Sequence, residues 1–224
     1  ETGAARRPVI VMGHGAVDAH EQVLALAEAV GAPVMTTFKG KGLIPDGHPN
    51  AAGVLGRSGT PVASWFMNEA DLLIAMGSSF SNHTGITEKK PIIQVDFERM
   101  QLGKFHSVTL PIWSEIGAFC KAVMERMVPN PDRADQLREL AERWTIWREE
   151  TATRLTEQRG KGIPSAVVFE ALTAVAPADA IMPVDVGNNT YSFGRYFEPR
   201  GQRVLMSGYL GSIGFSFPAA MGAW

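Results

Sequence analysis

Short apolar runs alternate with amphipathic stretches through the first 130 residues. The run Pro8–Met12 has the length and composition of a buried strand, and the stretch after it has apolar residues at helical spacing, with Asp18 as the expected N-cap and Gly31 as the stop. Strands that alternate with helices form βαβ units, whose strands are parallel and whose helices cover the sheet. The predicted strands are residues 8–12, 33–36, 71–76, 91–96 and 107–111, and two further helices are predicted at 61–68 and 113–127.

The rest of the chain begins with a long charged helix and then starts a second α/β pattern. Prolines 129 and 131 interrupt the chain, and residues 132–157 are strongly helical. The pattern that follows is helix 165–175, strand 180–184, helix 187–196, strand 203–206 and a helix from 212. Two strands are too few for a complete α/β domain. The chain also starts without Met and ends in an apolar helical stretch, so we expect both ends to be cut from a longer protein.

The predicted fold class is therefore α/β. We expect a Rossmann-like doubly wound parallel sheet in residues 1–130, a connecting helix in 131–160 and an incomplete second α/β unit in 161–224.

Composition narrows the functional class. The 224 residues carry a net charge of −2 with scattered Lys and Arg, which gives no basic patch for nucleic acid. No apolar run approaches the ~20 residues that span a bilayer, so neither nucleic acid nor a membrane is an expected partner. Cys120 is the only cysteine and lies in an apolar helical stretch, which predicts a buried side chain, no internal disulfide and a cytoplasmic location.

Glycines follow the first and third predicted strands, at the end of the sheet where open α/β folds bind ligands. Gly13, His14 and Gly15 stand where a dinucleotide-binding fold has its phosphate loop, but Asp18 replaces the third glycine of that pattern. A nucleotide site and a tight strand–helix turn are both open, and residues 77–83 could equally form an ordinary hydroxyl-rich turn. The candidate nucleotide cleft consists of Gly13, His14, Gly15, Gly77, Ser79 and Asp96.

Three loops outside this cleft also carry unusual residues. Residues 36–49 form a long loop rich in glycine and proline, and such a loop is usually functional or packs on a neighbour. Asp185-Val-Gly-Asn-Asn189 delivers a glycine and two amides to the carboxyl end of a predicted strand, where they could hold a diphosphate. Ser207-Gly-Tyr-Leu-Gly-Ser-Ile-Gly214 has three glycines at a helix start, which implies a close approach to the backbone.

These segments occur in an order that points to one family. Residues 33–45 with His48-Pro49, then Ala70-Asp-Leu-Leu-Ile-Ala-Met-Gly77, then residues 92–96 resemble the middle domain of acetolactate synthase, pyruvate oxidase and related enzymes. Residues 185–189 and 208–223 look like the opening of the same family's diphosphate-binding domain. The resemblance covers nearly the whole chain. It implies a piece of a thiamine-diphosphate-dependent carboligase or decarboxylase, a transferase or lyase that acts on 2-oxo acids.

The resemblance also implies a cofactor and its contacts. Family members have three α/β domains: the third binds thiamine diphosphate and Mg²⁺, and the first supplies a glutamate that activates the thiamine ring. The matching positions here are Gly187, Asn188 and Asn189 at the diphosphate, and Gly211, Ser212 and Ile213 at the pyrimidine and thiazolium. In this family a bulky apolar residue at the position of Ile213 wedges the cofactor into its bent, reactive shape, so the protein supplies geometry and the cofactor supplies carbanion chemistry.

The parts of the family pattern that do not match define further expectations. Neither the activating glutamate nor the G-D-G motif that holds Mg²⁺ occurs in this chain, so the resemblance assigns it no catalytic residue and no metal ligand. The 224 residues alone are therefore expected to be inactive. The expected partners are the missing domains of the same enzyme, further subunits of a homodimer or homotetramer, and a small 2-oxo acid substrate.

The match to flavin-binding members is poorer. Ser79 and His83 stand near the places of two arginines, and Arg57-Ser58 stands where many members have Met-His. Bound FAD or ADP is therefore doubtful, and a coenzyme A moiety or an empty cleft is also open. The alternative from another class is a stand-alone nucleotide-binding module for FAD or ADP, without catalysis.

Overall fold

A computed structural model describes residues 4–81, 83–128, 130–157, 160–208 and 210–224, which form two α/β units. The first unit is a six-stranded parallel sheet in the order β3-β2-β1-β4-β5-β6. Its strands are β1 (Pro8–Met12), β2 (Val34–Thr36), β3 (Ala51–Val54), β4 (Leu72–Met76), β5 (Ile92–Asp96) and β6 (Leu110–Trp113), and its helices are α1 (His20–Val30), α2 (Pro61–Glu69) and α3 (Ile116–Met124). The predicted Rossmann-like α/β class is confirmed.

Both faces of this sheet are covered by helices. β1 and β4 are buried at every position, as expected for parallel strands between two helical layers. One face packs against α1 and α3, and the other packs against α2 and the long helix α4 (Gln136–Leu155). Trp144 and Trp147 of α4 are buried on that second face, and the Trp144 indole N–H donates a hydrogen bond to the Ala51 carbonyl at 2.6 Å. α4 thus completes the core of the first unit, although it follows that unit in the chain.

The second unit is smaller and more exposed. It consists of α5 (Ser165–Val175), β7 (Ile181–Val184), α6 (Asn188–Tyr196), β8 (Arg203–Met206) and α7 (Ser216–Ala223). β7 and β8 pair in parallel, and a small core forms around Phe193 and Phe197. None of the α7 residues is buried, and exposed apolar side chains in and next to this helix are Leu210, Ile213, Phe217, Met221 and Trp224.

Among the residues that the structure describes, no helix has both the length and the apolar character needed to cross a membrane.

Two strands differ from the sequence prediction. The sequence does not predict β3, because Ala51-Ala-Gly-Val54 has small residues where a strand usually shows β-branched or aromatic ones. β6 covers Leu110–Trp113 instead of residues 107–111. The shift follows from the pairing with β5, since Thr109 precedes the ladder and its hydroxyl accepts the Ile92 N–H at 3.1 Å.

Two helix starts are also corrected. Asp18 does not cap α1: it lies in a 3₁₀ helix, His14–Ala19, and α1 begins after Ala19 without a side-chain cap. The last helix begins at Ser216 instead of residue 212, because Gly211 and Gly214 both have positive φ angles and keep the preceding segment out of the helix. The predicted linkers and glycine segment include residues 129, 158, 159 and 209, which lie outside the described residues.

The long loop between β2 and β3 packs on the second unit. A Cβ atom at Gly42 would lie 2.3 Å from the Gln202 carbonyl oxygen, so the two backbones touch. On the other side of the same junction, a Cβ atom at Gly194 would lie 2.2 Å from the carbonyl oxygen of Ser58, in the loop after β3. Of the two uses open to this loop, packing on a neighbouring unit is the one that the structure displays.

A buried ion pair lies at the centre of this junction. Lys41 Nζ is 3.6 Å from an Asp46 carboxylate oxygen, and the two residues are 3% and 6% exposed. Lys41 also donates a hydrogen bond to the Gly194 carbonyl at 3.3 Å, and the Asp46 N–H donates to the Pro199 carbonyl at 3.0 Å. Burial lowers the pKa of Lys41 and raises the pKa of Asp46 to about 6, because removing a charge from water disfavours its ionised form. The attraction within the pair opposes both shifts.

We expect Lys41→Met to lower the free energy of unfolding by about 3 kcal/mol, because it leaves the Asp46 carboxylate buried without its cation. Lys41→Met combined with Asp46→Leu should cost less than Lys41→Met alone, since no buried charge is left uncompensated. Urea unfolding at pH 7 measures both. The exposed pair Arg138–Glu142 provides the control, and its replacement by Met and Leu should change stability by less than about 1 kcal/mol. A double variant that loses as much stability as the sum of the losses in Lys41→Met and Asp46→Leu would contradict this account.

The raised pKa of Asp46 predicts how stability depends on pH. Between the ordinary value of 3.8 and the folded value of about 6, the unfolded chain is ionised at this residue and the folded chain is protonated. The stabilisation that comes from the raised pKa of Asp46 is fully present below about pH 4. It is lost as pH rises through about 6, which lowers the free energy of unfolding by on the order of 2 to 3 kcal/mol. The free energy of unfolding of wild type minus that of Asp46→Asn should therefore fall across this window. A flat difference would show that the carboxyl titrates normally.

Candidate functional site

Two helix starts meet at one edge of the second sheet. Because β7 and β8 are parallel, their carboxyl ends lie side by side, with Val184 opposite Met206. α6 begins at Asn188, four residues after the end of β7, and the Ser216 hydroxyl at the start of α7 donates a hydrogen bond to Asp185 at 3.0 Å. The first turn of each helix has N–H groups without intrahelical partners and carries a partial positive charge. This edge is therefore suited to an anion such as a diphosphate.

Asp185 connects the two loops at this edge. Its carboxylate accepts the Val186 N–H at 2.7 Å, the Gly214 N–H at 2.8 and 3.1 Å, and the Ser216 hydroxyl at 3.0 Å. The Val186 N–H, together with the Gly214 N–H and the Ser216 hydroxyl, holds the pKa of this carboxyl below its ordinary value, because each bond favours the charged form. Asp185 is therefore ionised at neutral pH, and its oxygens are occupied by the protein's own donors.

Thr190 fixes the loop that carries the predicted diphosphate residues. Its hydroxyl donates to the Asp185 carbonyl at 2.6 Å and accepts the Gly187 N–H at 3.1 Å. Gly187 has φ 150° and ψ −165°, a conformation that is essentially confined to glycine. The turn leaves Asn188 and Asn189 exposed at the start of α6, as a direct contact with a ligand requires.

The second predicted segment lies beside the first. A Cβ atom at Gly211 would be 3.8 Å from a Val186 methyl group, so the two loops lie side by side. The Ser212 N–H donates to the Ser207 hydroxyl at 3.1 Å, and the Ile213 side chain is 83% exposed. The structure thus brings together the six residues that the sequence assigns to one cofactor, and it leaves an aliphatic side chain free at that place.

The glycines of the candidate nucleotide cleft pack against each other. The Gly15 N–H donates to the Gly77 carbonyl at 2.9 Å, and a Cβ atom at Gly13 would lie 2.2 Å from that same carbonyl oxygen. Gly77 has φ 58°, and a Cβ atom there would lie 2.5 Å from the Gly15 carbonyl carbon. Close packing of the loops after β1 and β4 is thus sufficient to require glycine at all three positions. This observation favours the tight turn, and the nucleotide site stays a prediction.

Of the polar residues of this cleft, two are exposed to solvent and one is bonded to a backbone N–H. His14 and Ser79 are exposed, whereas the Asp96 carboxylate is largely buried and accepts the Glu98 N–H at 2.9 Å. Burial raises the pKa of Asp96. The neighbouring Ser78 hydroxyl is buried and has no hydrogen-bond partner within the described chain, so it could accept or donate a bond to a ligand there.

Several of these residues are not found by sequence reasoning. Asp185 stands inside a recognised motif, but its partners at 214 and 216 are far along the chain, and only its position two residues before a glycine and two amides hints at a role. Lys41 and Asp46 lie in the long glycine- and proline-rich loop, and nothing in its sequence marks these two residues as the buried pair that the structure shows. Within the described ranges, no group of three or more His, Cys, Asp or Glu residues could hold a metal ion.

Comparisons with known proteins identify related enzymes. A family model for the central domain of thiamine pyrophosphate enzymes matches residues 3–123. An acetolactate synthase of Mycobacterium bovis is 32% identical over 235 residues, which cover 98% of this chain and 37% of the relative. A sulfoacetaldehyde acetyltransferase of Rhodobacter capsulatus is 30% identical over 248 residues, covering 98% and 42%. The acetolactate synthase large subunit of Corynebacterium glutamicum is 31% identical over 233 residues, covering 99% and 37%.

The chain therefore spans about two fifths of the length of these relatives. The similarity extends through both α/β units, beyond the residues that the central-domain model matches. None of the three names describes a stand-alone nucleotide-binding module, so that alternative gains no support.

The two explanations for Gly13 predict different results for Gly13→Ala. If close packing requires glycine, the added methyl group meets the Gly77 carbonyl and lowers the free energy of unfolding by about 3 kcal/mol. Gly47→Ala is the control, because a Cβ atom there meets nothing within 4 Å. Thermal unfolding with and without ADP provides the measurement. A Gly13→Ala variant that unfolds like wild type but loses a nucleotide-dependent stabilisation would support the nucleotide site instead.

Proposed function

This chain belongs to the thiamine pyrophosphate enzyme family, and on that premise we propose that it forms the central domain and the beginning of the cofactor-binding domain of an acetolactate synthase-like enzyme. The enzyme would be a carboligase or decarboxylase, a transferase or lyase, with 2-oxo acids as substrates. The observation that carries the proposal is the contact between the loops at 185–189 and 211–216, which Asp185 joins at two helix starts.

The first loop supplies the groups that suit a diphosphate. The first turn of a helix such as α6 has N–H groups without intrahelical partners, and the helix dipole favours negative charge there. Asn188 and Asn189 add exposed amide groups that can donate hydrogen bonds without adding charge. Gly187, Asn188 and Asn189 would hold the diphosphate oxygens in this way, and Mg²⁺ would be bound by residues outside this chain.

The second loop supplies an apolar contact for the rings. The bond from the Gly214 N–H to Asp185 keeps the backbone of this segment close to the first loop, while Ile213 projects an exposed aliphatic side chain. Such a side chain would hold the two rings of the cofactor in a bent arrangement and exclude water from between them. When bound, thiamine diphosphate supplies the carbanion chemistry of the reaction, so the residues of this chain bind and orient without exchanging protons.

The remaining parts of the site would come from other chain segments and from another subunit. The exposed side chains Leu210, Phe217, Met221 and Trp224 form apolar surface next to the proposed cofactor edge, and such surface usually marks an association site. We therefore propose that further domains and a second subunit of a homodimer or homotetramer cover it. The 224 residues alone would then turn over no 2-oxo acid. A flavin or ADP in the first unit is not part of this proposal.

In the complete natural protein that contains this chain, Asn188→Ala combined with Asn189→Ala should weaken thiamine diphosphate binding about tenfold. Each lost hydrogen bond to a charged oxygen is worth roughly 1 kcal/mol or more, but water replaces part of it at an exposed position. Isothermal titration calorimetry in the presence of Mg²⁺ measures the affinity, and assays with a panel of 2-oxo acids identify the reaction.

Asn68→Ala is the matched control, since Asn68 is an exposed amide on α2 in the first unit. It should leave cofactor affinity unchanged. Wild-type protein that binds no thiamine diphosphate, or a double asparagine variant that binds it normally, would contradict the proposed function.

A further inference from the structure

We propose that Asp185 is a positioning residue that holds the segment 211–214 against the loop 187–189 and so fixes the shape of the thiamine diphosphate site. This inference rests on the proposed function and goes beyond it, because it assigns a role to a side chain that need not touch the cofactor. Three features support this role: the contacts of Asp185, the exposure of the segment that it holds, and the charge of Asp185.

The contacts of Asp185 reach both loops at once. Its carboxylate binds the Gly214 N–H with both oxygens and the Ser216 hydroxyl with one, while its carbonyl accepts the Thr190 hydroxyl. Asp185, which directly follows β7, is therefore bonded through its carbonyl to the first turn of α6 and through its carboxylate to the residues at the start of α7. A change in its side chain alters the distance between the two loops.

Apart from the bond from the Ser212 N–H to the Ser207 hydroxyl, the segment that Asp185 holds has few contacts that keep it in place. Gly211, Ser212, Ile213 and Gly214 are all exposed, and α7 after them buries none of its residues. Gly211 and Gly214 have φ angles of 63° and 89°, which glycine adopts freely, so the backbone itself does not select one arrangement. The bonds to the carboxylate therefore select the arrangement.

The charge of Asp185 fits a positioning role better than direct binding of a diphosphate. A free carboxylate would repel the anion, whereas both oxygens of Asp185 are occupied by donors of the protein. Its negative charge also lies at the start of α7, where the helix dipole stabilises it. Asp185 can thus stand beside an anion site because donors of the protein, together with the dipole of α7, stabilise its charge.

Two substitutions separate positioning from a direct use of the charge. Asp185→Asn keeps an oxygen that can accept the Gly214 N–H but removes the charge, and Asp185→Ala removes both. In the 224-residue chain, nuclear magnetic resonance should find that the Gly214 amide exchanges with solvent about tenfold faster in Asp185→Ala than in wild type, with Asp185→Asn in between. The melting temperature should change little, because the segment is exposed. Asp179→Asn, an exposed carboxyl in the turn before β7, is the control and should change neither quantity.

The affinity for thiamine diphosphate, measured in the complete natural protein with Mg²⁺, completes the test. We expect Asp185→Ala to bind roughly tenfold more weakly and Asp185→Asn to recover most of the affinity. Equal losses in the two variants would mean that the charge itself contacts the cofactor or its metal, and would overturn the positioning role. Unchanged exchange at Gly214 or unchanged affinity in Asp185→Ala would overturn it as well. Wild-type protein that does not bind thiamine diphosphate would instead overturn the proposed function.

Discussion

The structure depends on the need to cover both faces of one parallel sheet. β1 and β4 expose no residue on either face, so each face must be covered by apolar helix surface. α1 and α3 cover one face, but α2 alone has only nine residues for the other. α4 completes this second layer with Leu140, Trp144 and Trp147, although most of its surface is charged. A helix that looks like a connection between two units is in fact part of the first unit's core.

The same helix fixes the place of the second unit. The Trp147 ring, buried against the first sheet, also stacks on Tyr196 with centroids 6.0 Å apart, and Arg154 donates to the Tyr196 hydroxyl at 2.8 Å. Arg148 binds Glu198 through two hydrogen bonds of 3.2 and 2.8 Å. Because α4 is anchored on one unit and bonded to the other, the proposed cofactor edge of the second unit has a defined orientation relative to the first sheet.

The pattern of apolar residues along the chain is sufficient to predict the class of this fold, but it does not predict the candidate site. The buried strands and their order along the chain follow from apolar runs such as Pro8–Met12, because a strand covered on both faces needs no polar positions. β3 is not predicted, since its small residues pack by close approach and carry no strand signal. The two loops of the proposed cofactor site are recognisable as motifs in the sequence, yet the contact between them is not. That contact depends on one carboxylate and a backbone N–H separated by 29 residues, and hydrogen bonds of this kind leave no pattern in the sequence.

The glycines at the junction between the units have a consequence for the exchange of domains between relatives. Gly42 and Gly194 each bring a backbone so close to a backbone carbonyl of the other unit that no larger residue fits, whereas Gly208 faces only the flexible Lys39 side chain. Each of these contacts joins a glycine of one unit to a residue of the other unit. A hybrid assembled from the first unit of this protein and the second unit of a homologue would therefore close only where the homologue also has glycine at the place of Gly194. The junction, more than either core, sets which domains can be recombined.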